Sequence, residues 1–177
     1  PLDYRTEVFQ LNDALVQKAF ALSKDVQLDD NADATAFRAN YDYAPANQPP
    51  TVLNCDTAAG DTWFAGTALG QRARDWTKLL TDGMGTYCTT QQEDNATYEV
   101  LKRGSAAGLL DLTRVAVLRS GSDFDRPYTG QSSSDGLVNY AAQGGFTSAI
   151  SNLYNAGDPL VESILSDWEH WQNGVPD

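Results

Sequence analysis

The stretch "RVAVLRSGSDFDRP", residues 114–127, decides how the rest of the sequence is interpreted. It begins as an apolar, β-branched run, which is typical of a buried strand, and we predict a strand over residues 114–123. Two carboxylates, Asp123 and Asp125, come at the end of that strand, and Arg126 follows them. Because ligands of open α/β sheets bind at the carboxyl ends of strands, this placement indicates a functional site.

Strands and helices alternate along the remaining sequence. We predict further strands over residues 4–11, 50–61 and 85–91, and helices over residues 12–26, 67–83, 93–111, 136–143, 145–157 and 158–174. Asp158 and Pro159 have the pattern of a helix cap and first turn. Residues 27–50, acidic and then rich in proline, predict an irregular connection. This order predicts an α/β layered fold with a largely parallel sheet, forming one domain or a large part of one.

Composition narrows the classes of function. The chain has 177 residues and a formal net charge of −12, with a sequence pI near 4.3. A chain this acidic repels phosphate backbones, so nucleic-acid binding is not expected. Its most apolar long window, residues 100–118, carries four charged side chains, so no membrane span is expected either. The sequence begins with Pro1 and has no signal peptide, and we expect a mature or trimmed product.

Two features of the sequence indicate the cellular compartment. Cys55 and Cys88 lie 33 positions apart without a metal-like spacing. A disulfide between them would close a long loop and contribute about 3–4 kcal/mol, and two buried free thiols are the alternative. Asn95 opens an "NAT" glycosylation sequon. Together these features favour a secreted, extracellular protein, with Asn95 as a candidate glycosylation site.

The chemistry available in this chain is that of carboxylates. Polar clusters follow three predicted strands, and they are Asp61, then Glu93-Asp94-Asn95, then Asp123 and Asp125. The single histidine, His170, lies on a Trp-rich terminal helix, and the sequence has no phosphate-binding glycine motif and no metal-ligand spacing. Carboxylates suit the cleavage of a glycosidic or N-ribosidic bond, because they stabilise an oxocarbenium-like transition state. No cofactor is expected.

Several motifs together resemble a known family. The succession "AAGDTWFAG" (58–66), "QEDNATYEVL" (92–101) and "RVAVLRSGSDFD" (114–125) resembles the carboxyl-terminal half of the purine nucleoside phosphorylase and nucleosidase superfamily. More closely, "TEVFQLN", "YAPANQPP", "GTYCTTQQEDNA" and "RSGSDFDRP" resemble the purine nucleoside permeases of fungi and bacteria. The resemblance covers nearly the whole chain, residues 5–174. It implies a three-layer α/β/α sandwich of the nucleoside phosphorylase type, of which residues 1–177 form the carboxyl-terminal part and the amino-terminal half is absent.

The resemblance also implies roles for individual residues. Asp123 matches the superfamily aspartate that hydrogen-bonds purine N7 and helps to protonate the leaving base, and it would act as an acid only with a raised pKa. Glu93 is the second candidate catalytic residue. Either Glu93 or Asp94 replaces the glutamate with which the family binds the ribose hydroxyls, or this subgroup binds the sugar differently. The substrate-binding candidates are Trp63 and Phe64 for stacking on the base, Asp94 and Asn95 for the sugar, Ser122, Asp125 and Arg126 beside Asp123, and Asp61 after its predicted strand, without a more specific role. Asn95 departs from the family pattern, which has a glutamate there, and a glycan on Asn95 would keep that residue out of a pocket.

The leading interpretation is therefore an enzyme, a purine nucleosidase that cleaves the N-ribosidic bond of adenosine, inosine or guanosine with water. The alternatives are a nucleoside-binding protein that assists uptake without turnover, a phosphorolytic enzyme, or a non-catalytic fragment. The expected partners are a purine nucleoside, the missing amino-terminal half as a separate chain or removed segment, and further copies of the complete unit in a homo-oligomer.

Overall fold

Seven α-helices and two short strands make up the part of the chain that the computed structural model describes, residues 7–176. The helices are α1 (Asp13–Ser23), α2 (Ala32–Arg38), α3 (Thr67–Leu80), α4 (Asp94–Ala106), α5 (Ser133–Val138), α6 (Gly145–Ser166) and α7 (Trp168–Trp171). The strands are β1 (Asp56–Ala59) and β2 (Tyr87–Gln91). Short 3-10 turns cover Leu112–Arg114 and Tyr140–Gln143.

The sheet is a parallel pair joined through α3. The register runs from Asp56 opposite Tyr87 to Ala59 opposite Gln91, with an irregularity after Asp56. Cys88 falls at this irregularity and has no partner residue on β1, as expected for the extra residue of a bulge. It forms a disulfide with Cys55, with the two Cα atoms 6.0 Å apart. The predicted disulfide is confirmed, and it fastens the start of β1 to β2.

The predicted strand over residues 114–123 is wrong. Leu112–Arg114 form a 3-10 turn, and residues 115–120 are not part of a strand. The side chains of Val117 and Leu118 are exposed, although their sequence pattern is that of a buried strand. A strand requires a hydrogen-bonded neighbour, and no segment among residues 7–176 supplies one here. The predicted strand over residues 4–11 is likewise not formed where the structure describes it, at residues 7–11.

Two further expectations are corrected at the helices. Asp158 and Pro159 do not begin a new helix, because α6 runs through them without interruption. Residues 27–50 are not entirely irregular, since they contain α2. The side chain of Asn31 caps α2 by accepting a hydrogen bond from the Ala34 amide (2.8 Å). The same side chain donates to the Gly144 carbonyl (2.8 Å), and it thereby ties α2 to the start of α6.

The buried core is small, and part of it lies between α1 and α6. Leu15 of α1 and Ala149 and Ala156 of α6 are buried, and small side chains on α6 allow the two helices to approach closely. The Ser23 hydroxyl donates to the Ala156 carbonyl (2.6 Å) within this contact. The coarse prediction is thus confirmed, since the chain is a mixed α/β structure with a small parallel sheet.

Candidate functional site

Three loops that are distant in the sequence lie side by side at the sheet. The Gly60 amide, just after β1, donates to the Gln91 carbonyl at the end of β2 (3.0 Å). The Gly66 amide donates to the Asp125 carbonyl (2.8 Å). A Cβ atom placed on Gly121 would lie 3.9 Å from the Thr89 hydroxyl oxygen of β2. We call residues 60–66, 91–95 and 121–127 the loop cluster, and it contains the predicted site residues.

Asp125 and Arg126 form the interior of the loop cluster. The Tyr87 hydroxyl donates to Asp125 Oδ2 (2.8 Å), and Arg126 Nε lies 3.8 Å from Asp125 Oδ1. Burial raises the pKa of Tyr87, and its hydrogen bond to Asp125 raises it further. Tyr87 therefore remains a neutral hydrogen-bond donor that positions the Asp125 carboxylate.

Helix α3 approaches this pair closely because it has glycine at position 70. A Cβ atom there would lie 2.7 Å from Arg126 Nε and 3.0 Å from Asp125 Oδ2. The Arg126 Nη2 atom is buried, and it has no hydrogen-bond partner among residues 7–176. The guanidinium group therefore retains an unused donor inside the protein, at a position where the loop cluster meets α3.

Aromatic side chains cover the other side of the loop that carries Asp125. The Phe124 ring stacks on Tyr41, with centroids 4.3 Å apart, and lies 6.0 Å from Phe37 of α2. The Tyr41 hydroxyl donates to the Arg126 carbonyl (2.7 Å). Burial raises the pKa of Tyr41, so this donor too remains protonated. The loop is thus held by both ring packing and hydrogen bonds.

Asp123 lies at the solvent side of the same loop. The residue as a whole is exposed, but its carboxyl group is partly buried, and this burial raises its pKa, while a hydrogen bond from Ser122 opposes the shift. Next to it, the Phe124 amide donates to Oε1 of the buried Gln143 (2.7 Å). A Cβ atom on Gly145 would overlap the Ser122 carbonyl oxygen, so the first residue of α6 must be glycine.

The acidic segment that follows β2 is paired with Arg119. Arg119 Nε donates to both carboxylate oxygens of Asp94 (3.0 and 2.8 Å), and its Nη2 atom also contacts Asp94. Glu93 Oε2 lies 3.9 Å from the same Nη2 atom. Asn95 is exposed in the first turn of α4. The Asp94 carboxylate is therefore occupied by Arg119, and the Glu93 carboxylate is the more exposed of the two.

The aromatic residues that follow β1 lie at the surface. Trp63 is 51% exposed, and its ring meets Tyr140 edge to face, with centroids 4.5 Å apart. Phe64 is partly buried, and Asp61 is exposed. Trp63 and Tyr140 together present an accessible aromatic surface beside the loop cluster.

The structure brings some of the predicted site residues into contact and not others. Asp125 contacts Arg126, Asp123 contacts Ser122, and Glu93 and Asp94 share Arg119. Among the described residues, no hydrogen bond, ion pair or ring contact joins Asp123, Trp63 and Glu93 to one another. No three His, Cys, Asp or Glu side chains within residues 7–176 are placed to hold a metal ion.

Sequence analysis missed the residues that position the site. They are Tyr41 and Tyr87, which hold Arg126 and Asp125, together with Arg119, Gln143 and Tyr140. The position of Arg119 could have identified it as a candidate site residue, since it directly follows the apolar run and lies four residues before Asp123. The others lie in distant segments without a motif, and only the folded chain brings them to the loops.

Comparison with known proteins identifies the relatives of this chain. The family model described as "purine nucleoside permease (NUP)" matches residues 1–176. A probable purine nucleoside permease of Schizosaccharomyces pombe is 42% identical over 172 residues, which are 96% of this chain and 49% of that protein. A purine nucleoside permease of Candida albicans is 37% identical over 167 residues, 94% of this chain and 41% of that protein. The chain thus spans about half the length of these relatives. No solved structure gives a significant match.

These findings correct the leading interpretation from sequence. The prediction of a purine nucleosidase, with hydrolysis or phosphorolysis as its reaction, is wrong, because the family and both relatives are named as permeases. The assignment of Asp123 and Glu93 as catalytic residues for that reaction loses its basis. No helix within residues 7–176 combines the length and apolar character needed to cross a bilayer. The match over almost its full length shows that the chain belongs to the purine nucleoside permease family.

Proposed function

We propose that this chain forms part of a protein that binds purine nucleosides for uptake and leaves them chemically intact. The observation that carries the proposal is the family match over residues 1–176, together with two relatives named purine nucleoside permease. In this proposal the nucleoside binds at the three loops that meet at the sheet, because ligands of α/β folds bind at the ends of parallel strands. The complete polypeptide carries out the uptake in this proposal.

The aromatic pair beside the loop cluster supports a role in base recognition. Trp63 is half exposed and Tyr140 contacts it edge to face, which leaves a flat aromatic surface open to a ligand. A purine stacked on an aromatic side chain gains about 1–3 kcal/mol by measurements on other proteins. In this proposal Trp63 stacks on the base, and Phe64 supports it from its partly buried position.

Asp123 is the proposed hydrogen-bond partner of the base. Its carboxyl group is partly buried, which raises its pKa, and in its protonated form it can donate to purine N7. Ser122 orients that carboxyl group, and Asp125 and Arg126 hold the loop behind it. Glu93 and Asn95 remain candidates for the ribose hydroxyls. Asp61 remains a further candidate beside the base-stacking residues, since it is exposed.

The proposal extends to the architecture of the complete protein. We propose that the complete protein is a three-layer α/β/α sandwich, of which this chain is the carboxyl-terminal part, and that it assembles as a homo-oligomer. Secretion is supported by the Cys55–Cys88 disulfide, since such bonds persist in oxidising compartments. The exposed position of Asn95 is compatible with a glycan there, and a glycan would exclude the ribose contact proposed for this residue.

Calorimetric titration with adenosine, inosine and guanosine tests the proposal, with uridine as the comparison ligand. We expect the purine nucleosides to bind more tightly than uridine. Substitution of Trp63→Ala should weaken purine binding about tenfold, since stacking on one aromatic ring is worth about 1–3 kcal/mol. Trp76→Ala is the matched control, because Trp76 is 55% exposed on α3 and has no assigned role.

Two outcomes would contradict the proposal. In the first, uridine binds as well as the purines, or the Trp76 variant loses as much affinity as the Trp63 variant. In the second, chromatography of the titrated sample shows free purine base in place of the intact nucleoside.

A further inference from the structure

The segment over residues 115–120 begins with four apolar residues, at positions 115–118, and it belongs to no helix or strand of the described chain. Val117 is 39% exposed and Leu118 is 43% exposed. In the part of the chain that the structure describes, no backbone hydrogen bond involves residues 116–120. Extended backbone with free amides and carbonyls is able to pair with another strand. The β-branched, apolar composition of this segment is that of a strand buried on both faces, as in parallel sheets.

Helix α6 presents a second apolar stripe. One side of α6 carries the small buried residues Ala149 and Ala156. On this side, the Ala156 carbonyl accepts a hydrogen bond from Ser23 of α1. Ser148, next to Ala149, accepts a hydrogen bond from Asn31. Large apolar side chains recur at helical spacing on another side, and all of them are exposed, namely Phe146, Ile150, Tyr154, Val161 and Leu165. A helix that is apolar on two sides is typical of one buried between two layers. Only one of these layers is formed by the described chain.

The segment and the stripe belong to one surface. A Cβ atom on Gly157, in the middle of α6, would lie 3.5 Å from Leu118 Cδ2. Gly157 is seven residues after Ile150 and four residues before Val161. Because these spacings place residues on the same side of an α-helix, Leu118 lies over the stripe. We call residues 115–120 together with the stripe the apolar face.

We infer that the apolar face binds the remaining half of the family polypeptide, which contributes a strand to residues 115–120 and apolar side chains to α6. The first reason is length, because the relatives are about twice as long as this chain, which covers 49% and 41% of them. The second is the mismatch between the buried-strand sequence around Val117 and Leu118 and the exposure of these two side chains.

The test uses a continuous polypeptide in which this chain replaces the matched region of the S. pombe relative. Hydrogen exchange is followed by mass spectrometry in this chimera and in the chain alone. We expect the amides of residues 116–120 to exchange at least tenfold more slowly in the chimera, because strand pairing protects them. Equal exchange in both proteins overturns the inference. Protection in the chain alone that increases with its concentration also overturns it, because the occupant is then a second copy.

A pair of substitutions provides a second test, in which the melting temperature is measured in place of hydrogen exchange. Phe146→Ser combined with Ile150→Ser should change the melting temperature of the chain alone by no more than about 2 °C, since surface substitutions have small effects. The same pair should lower the melting temperature of the chimera by about 5 °C or more. Met84→Ser, at a position that is 82% exposed after α3, is the control for both proteins. A loss of several degrees in the chain alone overturns the inference, because the face is then already covered.

Discussion

Two neighbouring stretches, residues 115–120 and 121–127, differ in how they are held. Three hydrogen bonds hold the backbone of the second stretch. The Phe124 amide donates to Gln143. The Asp125 and Arg126 carbonyls accept from the Gly66 amide and the Tyr41 hydroxyl. The backbone of residues 116–120 makes no hydrogen bond to any described residue, and its apolar side chains are exposed. Within residues 7–176, hydrogen bonds therefore anchor the backbone of the loop, whereas the apolar side chains of the segment before it are left uncovered.

The difference indicates which part of the molecule depends on a partner. Hydrogen bonds to Tyr41 and Tyr87 hold the loop around Asp125 without help from outside the chain. The apolar face gains stability only when other apolar surface covers it. We therefore expect changes in the loop cluster to alter the stability of the chain alone, and changes in the apolar face to have little effect on it.

The largest effect should come from the disulfide that fastens the two strands beneath the loop cluster. Replacing Cys55 and Cys88 together by serine should lower the free energy of unfolding by about 3–4 kcal/mol, because the bond closes a loop of 33 positions. Urea denaturation measures the loss, and a reducing agent should affect the parent but not the variant. Hydrogen exchange of residues 115–120 should remain unchanged below the transition. A loss under about 1 kcal/mol would contradict the role given to the disulfide.

The substitution Gly145→Ala should have the next largest effect, because the new Cβ atom would overlap the Ser122 carbonyl oxygen. Forcing atoms into such a contact typically costs about 1–3 kcal/mol. Gly60→Ala is the control, since a Cβ atom there would have open space around it. Thermal denaturation compares the two variants, and equal stability of both would show that the start of α6 does not constrain the loop.

Tyr87→Phe should cost about 1.5 kcal/mol, the lower end of the range for a hydrogen bond to a charged group, because it removes the donor to the partly buried Asp125. The raised pKa of Tyr87 gives this change a pH signature. Stability of the parent is fully present below pH 10, the ordinary value for tyrosine, and falls as the pH rises above it, because the unfolded chain ionises first. The variant should show a smaller alkaline loss. Tyr140→Phe, at an exposed ring, should change neither quantity.

The smallest effect is expected for Asp123→Asn, at the solvent side of the loop. Partial burial raises the pKa of Asp123, so the folded chain keeps its proton to higher pH than the unfolded chain does. Stability of the parent therefore falls as the pH rises above 3.8, and the neutral variant should melt slightly higher at pH 7 but equally at pH 3.

Ser122→Ala provides the opposite test of the same residue. It removes the hydrogen bond that lowers the pKa of Asp123, so the pH dependence of the melting temperature should become steeper. A shallower dependence in this variant would show that the Asp123 carboxyl group is solvated like a free one.

Much of the local structure could be predicted from sequence. Helix α1 begins after Asn12, whose side chain accepts from the Ala14 amide, as its capping pattern indicates. Strand β2 and the Cys55–Cys88 pairing were also predicted correctly. The strand predicted over residues 114–123 and the helix start predicted at Pro159 do not form. Each prediction came from a local pattern, whereas tertiary contacts decide whether a strand or a helix boundary forms there.

The candidate site was only partly predictable. Residue types at the predicted strand ends identified the loops, and Gly60, Gly66 and Gly121 show that those loops are neighbours. The same carboxylates suit both binding and bond cleavage, so residue chemistry alone could not separate a permease family from a hydrolase. That distinction came from similarity to named relatives.

The sequence by itself determined the helix caps, the disulfide pair and the family, because each of these depends on short patterns or on the order of motifs. Only the tertiary structure decided that Tyr87 holds Asp125, that Arg119 occupies Asp94, and that Leu118 lies exposed over α6. The physical reason is that hydrogen bonds and apolar burial between distant segments depend on which surfaces come into contact. Local sequence patterns do not specify these tertiary contacts.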